Sequence, residues 1–183
     1  NFSHNIIGDR AYSNNEKIIN QIGNISINLL HQNRIGSVIK HIPGHGLSKQ
    51  DSHFKLPYIN NKLKFLEKKD FSIFKDKNSF FAMTAHIVFK SIDKINCITH
   101  SKTGIKYIRN NIGFKNIIIS DDISMKALKY SFTENVQKAY EAGCNLVLHC
   151  NSNLSEMNKL ASIAPKLDRF IIEKTSEFYK LLS

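Results

Sequence analysis

At 183 residues and 42% hydrophobic content, the chain is long enough to bury a core, as one full domain or as part of a larger one. No apolar run reaches the length of a membrane span and no basic-then-apolar leader opens the chain, so membrane insertion is not expected. The net charge of +11 comes from lysines scattered among asparagines and isoleucines, with no dense basic block or aromatic-interleaved stripe, which argues against a specific nucleic-acid partner.

In chain order, "HNIIGDR" (4–10) reads as a weak candidate strand. Ser13-x-x-Glu16 reads as a capping box that opens a helix with Ile18, Ile19, Ile22, Ile25 and Leu29 on one broad face. "SVIKH" (37–41) follows as a strand, then "KHIPGHGLSKQDSH" (40–53), a segment too polar and too broken for a core element. "FFAMTAHIVF" (80–89), "NIIISDD" (116–122) and "NLVLHC" (145–150) complete the strong strands. Their near-continuous hydrophobicity is that of parallel strands buried on both faces. Ser131-x-x-Glu134 predicts a helix that stops at Gly143, and further helices are expected over about 153–162 and 167–182. The β-α-β-α order predicts an α/β fold of the (β/α) TIM-barrel type. A full barrel typically needs about 250 residues, so about four to five strands imply an incomplete one. Cys97, Cys144 and Cys150 lack zinc-site spacing and read as reduced cytosolic thiols.

Each strong strand ends in polar groups: Lys40 and His41, then Thr84 and His86, then Asp121 and Asp122, then His149. Parallel α/β sheets collect their chemistry at that edge. Asp51 and His53 lie two apart, so in an extended segment the carboxylate can orient the imidazole and favour its protonated form for proton transfer near neutral pH. Gly44 and Gly46 would let that loop change conformation. Asp121, where an inward-facing strand gives way to a loop, suits attack on an electrophilic carbon or metal ligation, and an Asx cap is the structural alternative, open to Asp122 as well. Lys40 and His41 face one ligand together only if the backbone kinks, which predicts a strained or cis peptide near 40–43, with Ile42–Pro43 one candidate. The lack of an H-x-H strand motif weighs against a metal site built from His41, His45, His53, His86 and Asp121, and no metal or other cofactor is expected.

Together, "KHIPGHG…DSH…LP", "MTAHIVF", "IIISDDISMKAL", "AGCNLVLHCN" and "IIGDRAYS" resemble the bacterial β-N-acetylglucosaminidases of glycoside hydrolase family three, specifically the single-domain cytosolic enzymes of peptidoglycan recycling. The resemblance runs over almost the whole chain, in order. It implies a retaining hydrolase that removes terminal β-linked N-acetylglucosamine from muropeptide or anhydromuropeptide fragments. By motif it makes Asp121 the nucleophile and His53 the acid/base, partnered by Asp51, with Arg10, Lys40 and His41 holding the sugar's hydroxyls. Family members begin well upstream of the G-D-R segment, with strands and sugar-binding residues that have no counterpart here. The chain, which opens on Asn1, is therefore expected to be N-terminally truncated, with residues 1–183 forming a single partial catalytic domain. A non-catalytic remnant that binds amino sugars or muropeptides is the other class of reading.

Overall fold

The computed structural model describes residues 11–48 and 55–183. Four strands, β1 (Val38–Ile42), β3 (Phe81–Thr84), β5 (Ile117–Asp122) and β6 (Leu146–Leu148), pair in the order β1-β3-β5-β6, all parallel. A small parallel pair, β2 (Tyr58–Ile59) with β4 (Val88–Phe89), stands apart from it. Helices α1 (Glu16–Gln32), α2 (Leu63–Lys69), α3 (Lys102–Tyr107), α4 (Phe132–Ala142), α5 (Leu154–Ile163) and α6 (Arg169–Leu182) precede, separate and follow the strands. Consecutive parallel strands laid side by side with helices between them form the wall of a (β/α)-barrel, four strands of it among the described residues. The candidate strand at 4–10 lies outside them.

The strands carry the expected β-branched residues, and the core between sheet and helices is isoleucine-rich, with Ile42, Ile87, Ile98, Ile108, Ile118 and Ile123 at 0–1% exposure. Expectation and structure part in four places. The apolar run 80–89 is two strands, because the chain leaves the main sheet after Thr84 and Val88 N–H donates to the Pro57 carbonyl instead. β1 and β6, at the margins of the four-stranded sheet, are only partly buried, against the expectation of strands covered on both faces. The cap of α1 is Asn15, whose side chain accepts from Lys17 N–H, while the Ser13 hydroxyl accepts from Asn15 N–H, so the capping box is displaced by two residues. The buried residue of α1 is Ile27, and Ile18, Ile25 and Leu29 of the predicted face are exposed. By contrast, Ser131 caps α4 through Glu134 N–H, and Gly143 ends that helix at φ 111°, where an L side chain would be strained.

Polar side chains tie the amino ends of the strands together. Ser79 Oγ donates to the Ser37 carbonyl, Asn116 Nδ2 to the Ser79 carbonyl, and Asn145 Oδ1 accepts from Ile118 N–H. Arg109 adds bonds to the Phe114 and Asn116 carbonyls and to Asn145 Oδ1. With the amino ends fastened by structural bonds, the opposite ends are left for chemistry.

A candidate active site at the carboxyl ends of the strands

The parallel ladders slip where the chemical residues stand. β1 and β3 lose register between Lys40 and Ile42, and β5 and β6 between Ile119 and Asp122. Such irregularities re-aim side chains at the end of a strand. At the second slip the buried Ser120 hydroxyl accepts from Leu148 N–H, standing in for a ladder acceptor. Both Lys40–His41 and Ile42–Pro43 are cis, within the segment where the sequence predicts one.

His41 and Asp121 lie together at the ends of β1 and β5, with His41 Nε2 at 3.6 Å from Asp121 Oδ2 and side-chain exposures of 25% and 14%. Asp121 Oδ1 accepts from the N–H of Asp122 at 2.8 Å, which leaves Oδ2 towards the imidazole. Burial pushes His41 down to about 4, against the pull of Asp121 and with help from His45, Lys40 and His86. At neutral pH the contact is therefore a neutral ring beside a carboxylate and not an ion pair. Lys40 is exposed, and its charge is felt by both His41 and Cys150. Asp122 makes the turn cap, its carboxylate accepting from Ser124 N–H, Ser124 Oγ and Cys150 N–H.

The other strand-end groups divide. His86 and Thr84 are wholly buried in a polar chain beneath Asp122. His149 turns away to α5, where Nε2 lies 2.7 Å from Glu156 Oε2 and the ring packs edge-on against Phe132, so its polarity serves the helix contact. Asp51, His53 and Arg10 lie outside the described residues. Among those described, no group of three or more His, Cys, Asp or Glu side chains is placed to hold a metal ion. All three cysteines are unpaired, and among the described residues no helix is long and apolar enough to cross a membrane.

Asp70 escaped the sequence reading, since an acid after "LEKK" looks like a solvated helix end. It caps the C-terminus of α2 at 6% exposure, Oδ1 accepting from Gly46 N–H at 3.3 Å while Oδ2 has no partner among the described residues. Burial raises it to about 6, opposed by the N–H groups of Gly46 and His45. It holds the turn that follows β1, and the fit is close: a Cβ on Gly44 would lie 2.3 Å from Oδ2 and 2.4 Å from Cγ. Because the carboxylate is pinned by the turn's own amides, Gly44→Ala should lower stability by about 1–3 kcal/mol. Urea unfolding measures this, and an unchanged midpoint would contradict the close fit.

A family model described as Glycosyl hydrolase family 3 N terminal domain matches residues 1–175. A curated relative, the beta-hexosaminidase of Nitrosomonas eutropha, is 32% identical over 163 residues, 86% of this chain and 47% of that protein. Among solved structures, NagZ from Neisseria gonorrhoeae in complex with N-trifluoroacetyl-D-glucosamine has a TM-score of 0.82 at 26% identity, over 96% of this chain and 52% of that one. A glycoside hydrolase family 3 beta-N-acetylglucosaminidase from Paenibacillus has a TM-score of 0.85 at 22% identity, over 99% and 37%, a likeness of fold. The chain spans about half the length of the curated relatives it matches.

Proposed function

The chain belongs to the glycosyl hydrolase family 3 N-terminal-domain family, and from that premise we propose that it acts as a retaining hydrolase. It releases terminal, non-reducing β-linked N-acetylglucosamine from peptidoglycan fragments, muropeptides or anhydromuropeptides, in the cytoplasm, with residues 1–183 serving as one catalytic unit. The observation that carries this reading is Asp121: a carboxylate at the carboxyl end of β5, 14% exposed, with one oxygen held by a backbone N–H and the other beside a neutral imidazole. Among the described residues no cation pairs with Asp121, and a carboxylate so held remains available as a nucleophile.

In the proposed reaction an Asp121 oxygen bonds to the anomeric carbon as the bond from that carbon to the aglycone oxygen breaks. His53 gives its proton to the departing oxygen. Water then attacks the same carbon from the vacated side, yields a proton to His53, and frees Asp121, so the product keeps the β configuration. Asp51 orients His53, and Lys40, His41 and Arg10 hold the hydroxyls. His41, neutral above about pH 4, can both donate and accept towards a sugar. The unpaired cysteines suit a reducing compartment.

A 5-fluoro N-acetylglucosaminyl fluoride tests the nucleophile separately from the acid/base, since fluoride leaves with little need of a proton donor. The expected result is a covalent sugar on the peptide containing Asp121, with β-N-acetylglucosamine as the first product anomer by NMR. Sugar binding without labelling or turnover would favour the non-catalytic binder.

A further inference from the structure

Thr84 at the end of β3, His86 two residues on, and Thr99 in the 3-10 turn Ile98–His100 are all at 0% exposure. The reaction above uses none of them, and three buried polar side chains need a reason to be there. Their hydrogen bonds run in one direction. His86 Nε2 lies 3.0 Å from the Asp122 carbonyl oxygen, which can only accept, so Nε2 carries the hydrogen. Burial holds the ring below its ordinary value, although Asp121 and Asp122 pull the other way and His45 assists the burial. The ring is then neutral and Nδ1 bears a lone pair. Thr99 Oγ1, 2.7 Å away, donates to that lone pair and in turn accepts from Thr84 Oγ1 at 2.8 Å.

The chain of bonds ends at the residue that holds the nucleophile. Asp122 gives its N–H to Asp121 Oδ1 at 2.8 Å, and it sits where β5 and β6 are out of register. Its carboxylate is engaged by Ser124 and Cys150, and its carbonyl by His86.

We propose that His86 is a positioning residue for Asp121: its Nε2–H fixes Asp122, whose N–H fixes the attacking carboxylate, and Thr99, itself held by Thr84, seats the ring through Nδ1. This rests on the reading of Asp121 as nucleophile. The neutral donor has a second use. A buried imidazolium close to Asp121 would attract the carboxylate and hold it back from carbon, whereas the Nε2–H tautomer fixes the backbone without adding charge.

Three variants and one spectrum test the proposal. His86→Leu removes the donor and should lower kcat for a β-N-acetylglucosaminide by about tenfold to a hundredfold, with KM little changed, as expected for a displaced reacting group. His86→Gln keeps an N–H near the Nε2 position and should recover most of the loss. Thr99→Val, nearly the same shape, removes the partner of Nδ1 and should lower kcat by a smaller factor, while the Asp122 carbonyl keeps the Nε2–H tautomer. In the unmodified chain, nitrogen-15 NMR of the imidazoles should show His86 as the neutral Nε2–H tautomer at pH 7. An Nδ1–H ring, a ring protonated at pH 7, or an active chain whose kcat survives His86→Leu would overturn the role of His86 alone. A parent chain that is neither active nor labelled by the fluoride overturns the nucleophile reading beneath it. Should His86→Leu not fold, Thr99→Val and the spectrum decide.

Discussion

Asp121→Asn should lower kcat for a β-N-acetylglucosaminide by about 10⁴-fold or more, equivalent to roughly 5.5 kcal/mol of lost transition-state stabilisation. The amide is too weak a nucleophile to bond to the anomeric carbon in the carboxylate's place, so the two-step path is closed and only slower direct attack by water remains. The fold should survive the change. The amide oxygen of the new side chain can still accept from Asp122 N–H, and the contact with His41 is not an ion pair above about pH 4, because the ring is neutral there. The variant should therefore unfold in urea within about 1 kcal/mol of the parent, typical of a change that leaves packing and backbone bonds in place. Steady-state kinetics beside that unfolding curve give the answer. A kcat within tenfold of the parent, in a folded variant, would remove Asp121 from the chemistry.

Acid should destabilise the protein well above the range in which ordinary carboxylates titrate. Burial holds His41 and His100 each at about 4, against an ordinary 6.5. For a base depressed by folding, the unfolded chain binds the proton first. Stability is then complete above about 6.5 and drains away as pH falls towards 4, by about 3 kcal/mol for each ring. His31 and His86 are shifted in the same direction. Asp70 works the other way, since burial lifts it from 3.8 to about 6. Its ionisation disfavours the folded state, so its contribution is full below 3.8 and is lost as pH rises through 6, by about 3 kcal/mol. Two rings against one acid leave a net loss of several kcal/mol between pH 7 and 4, a large share of a typical domain's 5–15 kcal/mol. Asp70→Asn removes the opposing group and should make the fall steeper. Urea midpoints at pH 7, 5.5 and 4.5 measure both slopes. A parent more stable at pH 4.5 than at pH 7 would refute the assignment of these buried histidines.

Much of the frame was legible because its causes are local. Runs of β-branched residues made β1 and β5, Ser131 and Gly143 bounded α4, and a serine two residues after Asp122 turned that carboxylate into a cap. The ordered motifs were enough to place the chain in its family, since each is a short stretch whose residues act on neighbours. Other features were decided elsewhere. The run 80–89 broke in two because β2 offered Val88 a partner that no window around residue 88 contains. His149 turned to Glu156 on α5, and Ile18, Ile25 and Leu29 of the hydrophobic face read along α1 were left exposed, since a hydropathy period does not say which side of a helix finds a neighbour. Asp70 and His86 hold their places through bonds to Gly46 and Asp122, 24 and 36 residues distant. Local propensity acts over one or two turns of chain, so the sequence by itself determined the elements and the residue types at their ends. Which of those residues face each other, which are stripped of water, and therefore which proton each one carries were settled only when the strands were laid side by side.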